Sequence, residues 1–113
     1  MVGEKIMETD LRPAEQAVVN GISSELINKI IDTIEFFAET KCEVLGMVGV
    51  INNEWNDEEK ISRFASIKLR CNDATLYAPI ARFVYSKKDK TLIYIEIFTA
   101  GEALNLAYTW HVP

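Results

Sequence analysis

Histidine is nearly absent from this chain: His111 is the only one in 113 residues. Imidazole acid–base chemistry and histidine-based metal binding therefore rest on one side chain, two positions from the last residue. Cysteine is almost as scarce. Cys42 and Cys71 form no C-x-x-C pair and have no companion ligands, so they read as free thiols, small buried hydrophobes of a reducing compartment. There is no glycine-rich phosphate loop, no G-x-S-x-G elbow and no H-E-x-x-H. No apolar run approaches the roughly 20 residues that cross a bilayer, and the acidic stretch 1–10 lacks the apolar centre of a signal peptide. The expected location is the cytoplasm, with no membrane partner. Basic residues are outnumbered, 12 Lys and Arg against 17 Asp and Glu, and the net charge of -5 excludes general nucleic-acid binding. No cofactor and no metal is expected.

What the chain does have is the composition of a folded domain. With 49% apolar and 26% charged residues it can bury one core, expected over residues 12–113 behind a flexible lead-in of residues 1–11. Pro13 suits the first turn of a short helix that Asn20-Gly21 ends. Ser23 then caps a second helix over 24–40, with Ile27, Ile30, Ile31, Ile34, Phe37 and Ala38 on one stripe. The β-branched run 43–51 predicts a strand in which Gly46 and Gly49 mark a bulge or a close backbone approach. Four segments alternate at period two, 62–71, 76–86, 91–99 and 104–112, which predicts four further strands joined by short turns. The expected fold is therefore α+β: one or two N-terminal helices on a curved, mostly antiparallel five-stranded sheet. It is similar in outline to cystatin-like and nuclear-transport-factor-like architectures, an analogy that assigns no activity.

Alternation allows side chains to be assigned to faces. Setting Arg82 across from Glu96 places Phe83 opposite Ile95 and Tyr85 opposite Ile93, while a one-residue slip sets Arg82 against an isoleucine. Pairing Leu69 with Tyr77 and Thr99 with Leu104 extends one apolar face, containing Ile93, Ile95, Ile97, Tyr108 and Trp110, beneath the 24–40 helix. Pro79 cannot donate to a ladder, so a bend or bulge is expected near Ala78 and Pro79. The second face then carries Phe64, Ile80, Arg82, Val84, Tyr94, Glu96, Phe98, Asn105, Thr109 and His111, and these are the candidate binding or interface residues. Arg82 and Glu96 among aromatics admit two readings, a polar-ligand site or a cross-strand ion pair that sets register. The acidic turn 53–59 lacks the glycine and spacing of a calcium loop and reads as a solvated turn.

The succession of a helix, Ile67-Lys68-Leu69-Arg70, Ala81-Arg82-Phe83-Val84-Tyr85 and 91–98 resembles the sheet of RelE- and ParE-type toxins over residues 65–100. The resemblance implies a ribonuclease in which Arg70 and Arg82 take the place of that family's strand arginines. This chain departs from the pattern in its extra strand at 43–51, its acidity, and the Thr99-Ala100-Gly101-Glu102 stretch where a basic cluster belongs. Three functional expectations stand side by side. The leading one is a non-enzymatic interaction or regulatory module, a homodimer through the second sheet face. The others are a small-ligand or acid–base domain around Glu96 and Arg82, and a RelE-like ribonuclease.

Overall fold

The computed structural model describes residues 6–110. Strand β1 (Ile6–Thr9) precedes helices α1 (Pro13–Asn20) and α2 (Ser24–Ala38); β2 (Cys42–Asn52), β3 (Lys60–Cys71), β4 (Ala74–Ser86) and β5 (Leu92–Ile97) follow, and helix α3 (Ala100–Thr109) comes last. The strands form one antiparallel sheet in the order β1-β2-β3-β4-β5. The class is α+β with five strands. One of those strands is Ile6–Thr9, within the stretch expected to be flexible, and the segment expected as a strand over 104–112 is helix α3 as far as Thr109. The helix is set by its first turn. Thr99 Oγ1 accepts a hydrogen bond from the Glu102 amide at 3.1 Å, and the Glu102 carboxylate accepts one from the Thr99 amide at 2.9 Å, a reciprocal cap that satisfies two donors at once.

Elsewhere the local chemistry acts as its residue types predict. Ser23 caps α2 by accepting from the Glu25 amide. Gly46 takes φ 142° at a break in β2–β3 register, and Gly49 lies where an added Cβ would meet the Asp10 carbonyl and the Arg63 guanidinium at 3.2 Å. The bulge expected near Pro79 is present: Ala65 pairs with Ala81 but Ser66 pairs with Pro79, so Ile80 is an extra residue. Its effect is to turn Leu76, Ala78 and Ile80 to the same side as Ala81, Phe83 and Tyr85, all within one core cluster with Ile30 and Ile34 of α2. The register there is Leu69 with Leu76 and Lys68 with Tyr77, which corrects the expected Leu69–Tyr77 pair and moves Ile80 off the second face.

Helix α2 covers the middle of the sheet and not its β5 edge. A helix about 10 Å wide spans about two strands set 4.8 Å apart. Ile93, Ile95 and Ile97, expected beneath it, are exposed, as is Phe37 of its expected apolar stripe. Helix α3 contributes Ala100, Ala103 and Ala107 to the cluster under α2, and Leu106 to a second cluster around Phe64, Phe98 and Trp110. A helix that serves both clusters stands beside β4 and not over one face, and β5 pairs only from Ala81 onward.

Two covalent or ionic ties hold the periphery. Cys42 and Cys71 face each other across β2 and β3 and form a disulfide, which overturns the expectation of free thiols. The pairing was hidden in sequence because it depends on strand register and not on a motif. At the opposite end of β3, Glu15 of α1 is 1% exposed and bound by Arg63 through Nε at 2.9 Å and Nη2 at 3.1 Å. The Tyr85 hydroxyl and the Arg12 amide also donate to it, at 2.7 and 2.9 Å. Burial opposes ionisation of Glu15, but the hydrogen bonds from Arg63, Arg12 and Tyr85 outweigh it and hold the carboxyl below its ordinary range.

Reducing Cys42–Cys71 is expected to lower unfolding free energy by about 3 kcal/mol in the chain-entropy account, measured by urea titration with and without reductant. The depressed Glu15 pKa contributes stability that is present above the unfolded value of about 4.3 and is lost as pH falls through the folded value. Glu15→Gln should therefore destabilise the protein at pH 7, by about 3 to 5 kcal/mol because Arg63 is left buried and uncompensated. It should also flatten the acid side of a melting-temperature profile. A Glu15→Gln profile parallel to that of the unmodified protein would contradict this account.

Candidate functional site

The cross-strand pair at the centre of β4 and β5 forms in the expected register: Arg82 opposite Glu96, Phe83 opposite Ile95 and Val84 opposite Tyr94. Beyond it an extra residue in β5 places Tyr85 opposite Leu92 and not Ile93. Arg82 is held more by its other neighbours than by Glu96. Its Nε donates to Ser62 Oγ at 2.9 Å, and its guanidinium lies 4.9 Å from the Trp55 ring centre and 5.8 Å from that of Tyr94. The carboxylate of Glu96 is 3.6 Å from Nη1 and about half exposed, too long for a hydrogen bond and open to solvent.

These residues border a small groove of about 250 Å³ lined by Trp55, Arg82, Glu96, Phe98, Glu102, Asn105 and Leu106. Trp55 arrives from a 3₁₀ turn (Asn53–Trp55) that Asn52 caps by accepting from the Glu54 amide. Asp57, in the acidic stretch considered for calcium, accepts from the Glu59 and Lys60 amides, so its carboxylate closes the turn. The groove is below the roughly 300 to 1,000 Å³ of small-molecule sites. Some of its polar atoms are committed: a Glu102 carboxylate oxygen to the α3 cap, and Arg82 Nε to Ser62.

The structure divides the expected site residues. Arg82, Glu96, Phe98 and Asn105 border one groove, with Tyr94 stacked beside Arg82. Phe64, Val84 and Phe98 are buried inside the chain, so they form no exposed apolar face. Phe64 meets Trp55 and Trp110 edge-on at 5.4 and 4.8 Å, an aromatic cover that the face assignment missed because Trp110 was placed on a strand. Ile80 belongs to the other core, and Thr109 on α3 donates to the Asn105 carbonyl. His111 lies outside the described residues.

A second groove, about 370 Å³, lies between Ile6, Glu8, Leu45, Lys68, Arg70, Thr75 and Tyr77. Here Glu8 accepts from Lys68 at 2.8 Å and from the Tyr77 hydroxyl at 2.7 Å. Those two hydrogen bonds hold Glu8 below its ordinary range, while burial first and the Glu8 acceptor second push Tyr77 up to about 12. Tyr77 is therefore a fixed neutral donor. Sequence reasoning missed this cluster because Tyr77 was on the wrong face and Glu8 in a segment read as unstructured. Arg70 lines this groove and Arg82 the other, so the two arginines of the ribonuclease reading do not line one groove, and Lys68 beside Arg70 is paired with Glu8.

No family model, curated protein or solved structure matches the chain. The site is therefore judged on its own geometry. Glu96→Gln should change stability by less than about 1 kcal/mol, because the pair is long and half exposed. Arg82→Ala should cost about 1 to 3 kcal/mol, since it removes the donor to the buried Ser62 hydroxyl and empties the space beside Trp55. Urea titrations giving equal losses would show that the ion pair, and not Ser62 and Trp55, is what holds Arg82.

Proposed function

We propose that this protein is a non-enzymatic interaction or regulatory module that works as a homodimer. The observation that carries the reading is the amount of large apolar surface left uncovered. Leu92, Ile93, Tyr94, Ile95 and Ile97 are between 38% and 47% exposed on a single strand, and Phe36 and Phe37 of α2 are more exposed still. Isolated exposed apolar residues are ordinary, whereas a contiguous row on a regular element marks an association surface. The route differs from the one expected in sequence: the second face is largely filled by Trp55, Trp110 and Leu106, and the uncovered row lies along β5.

A small-ligand reading has one observation in its favour, the Arg82 guanidinium beside Trp55 at the edge of a groove that Asn105 also lines. The groove's size and its committed polar atoms place it second. No helix of the described chain is long and apolar enough to cross a membrane. For location, the cytoplasm expected from the sequence is weighed against the Cys42–Cys71 disulfide, which favours an oxidising compartment.

Sedimentation velocity at several concentrations is the direct test. A species of twice the 12.8 kDa chain mass is expected at micromolar concentrations. A concentration-independent monomer would remove the homodimer and raise the ligand reading, which saturable changes in Trp55 fluorescence on adding small organic acids would then support.

A further inference from the structure

We infer that the open edge of β5 receives β5 of a second copy, antiparallel, with Ile95 on the two-fold axis. This rests on the homodimer reading and names its contact. The backbone supplies the first argument. Among the described residues β5 ends the sheet and pairs only with β4, and the Phe98 amide donates to the Ile80 carbonyl. Hydrogen-bonding direction alternates along a strand, so the backbone groups of Glu96 turn toward β4, while those of Ile95 and Ile97 turn outward to the unpaired edge.

The second argument is that this edge is lightly guarded. Native edges are blunted by charge, proline, bulges or extreme shortness. β5 has six residues, no proline and Glu96 as its only charge, and its one bulge, the extra residue at Ile93, lies near its start. The comparable stretch of β2 beyond the reach of β1 is interrupted in its middle, at Gly46, whereas the break in β5 leaves residues 94–97 in unbroken register with β4.

The third argument selects a second copy as occupant. The chain is basic just before β5, at Lys87, Lys88 and Lys90, and acidic toward and beyond its other end, at Glu96 and Glu102. Antiparallel pairing of two identical strands sets the basic end of each toward the acidic end of the other. Directly opposed residues must share a face, so the two-fold passes through a residue and not between two. Centred on Ile95, the register opposes Ile93 to Ile97 and Tyr94 to Glu96. Centred on Glu96 it opposes like charges, and centred on Tyr94 it sets Ile97 against Thr91. Only the Ile95 centre matches all three isoleucines. Because Ile95 and Phe83 are register partners and Phe83 belongs to the cluster under α2, the isoleucine row lies on the helix-bearing side. A two-fold perpendicular to the sheet keeps that side common to both copies, giving one continuous ten-stranded sheet.

The test uses the full chain. Ile95→Lys, at an exposed position, should leave the folded monomer intact by circular dichroism in dilute solution and raise the dimer dissociation constant at least about 100-fold by sedimentation, since two copies of the charge meet at the axis. Phe36→Lys should leave the dimer intact. Register is read separately by oxidation of single-cysteine additions: Ile95→Cys should cross-link to its own copy, and Ile97→Cys should not. A dimer that survives Ile95→Lys but is lost in Phe36→Lys would overturn the β5 contact while leaving the homodimer reading in place. A monomeric unmodified protein would overturn both. If Ile95→Lys fails to fold, the cysteine pair decides: cross-linking of Ile97→Cys alone, or of neither, rejects the Ile95-centred register.

Discussion

One extra residue in β4 governs how the two halves of this molecule are built. Side chains alternate along a strand with period two, so inserting Ile80 between Pro79 and Ala81 reverses the facing of every residue on one side of it relative to the other. Leu76 and Ala78 thereby join Phe83 and Tyr85 under α2, and Tyr77 is sent to the opposite side, where its hydroxyl reaches Glu8. Without the insertion, either the first half of β4 or the second would present its apolar row to the wrong side. Pro79, which has no amide proton to contribute, sits at the irregularity and loses nothing there. The same point marks where β5 stops pairing and where the chain is free to turn into α3, with the Phe98 amide on the Ile80 carbonyl as the last link.

The packing that results is anchored at the two ends of β3. Near its start Arg63 binds the buried carboxylate of Glu15 and, through Nη2, the Asp10 carbonyl at 2.8 Å, so that one guanidinium fixes both α1 and the segment leading into it. Gly49 is required beside it, because any side chain there would press on Asp10 and on Arg63 itself. At its other end Cys71 is bonded to Cys42, the first residue of β2, whose amide also donates to Glu35 of α2 at 2.8 Å. An ion pair so fully buried contributes through fixed geometry more than through net energy, since desolvation offsets much of its attraction. The disulfide acts chiefly on the unfolded chain. The two ties are therefore complementary in kind, one selecting the native arrangement and one limiting the alternatives.

What was legible in the sequence follows from the range of each signal. The Ser23 cap of α2, the glycine bulge in β2, the bend at Pro79 and the Arg82–Glu96 register all rest on residues close in sequence or on parity within one hairpin, and all are present. Helix α3 was misread because 104–112 satisfies both periods. Ala103 and Ala107, or Leu106 and Trp110, are as well spaced for a helix as Leu106, Tyr108 and Trp110 are for a strand. The Thr99-x-x-Glu102 capping box was the available discriminator. The disulfide, the Glu15–Arg63 pair and the Glu8–Tyr77 contact lay out of reach, because each joins segments distant in sequence whose juxtaposition depends on the whole sheet order. Of the candidate site, the Arg82–Glu96 pair and the neighbouring Tyr94 and Phe98 were legible; Trp55, supplied by a loop, was not.

Misreading α3 also hid the exposed apolar row of β5. Had 104–112 been a strand beside β5, the isoleucine row would have been interior and its hydrophobicity accounted for. With that segment helical, β5 becomes the terminal strand, and the same residues that alternate so regularly stand on an open edge. Helix α3 cannot cover them, because its small face of Ala100, Ala103 and Ala107 is already spent against the core under α2. β5 is a strand with apolar residues on its helix side, outward backbone groups and few guard residues. That pattern is what the proposed continuation of the sheet rests on.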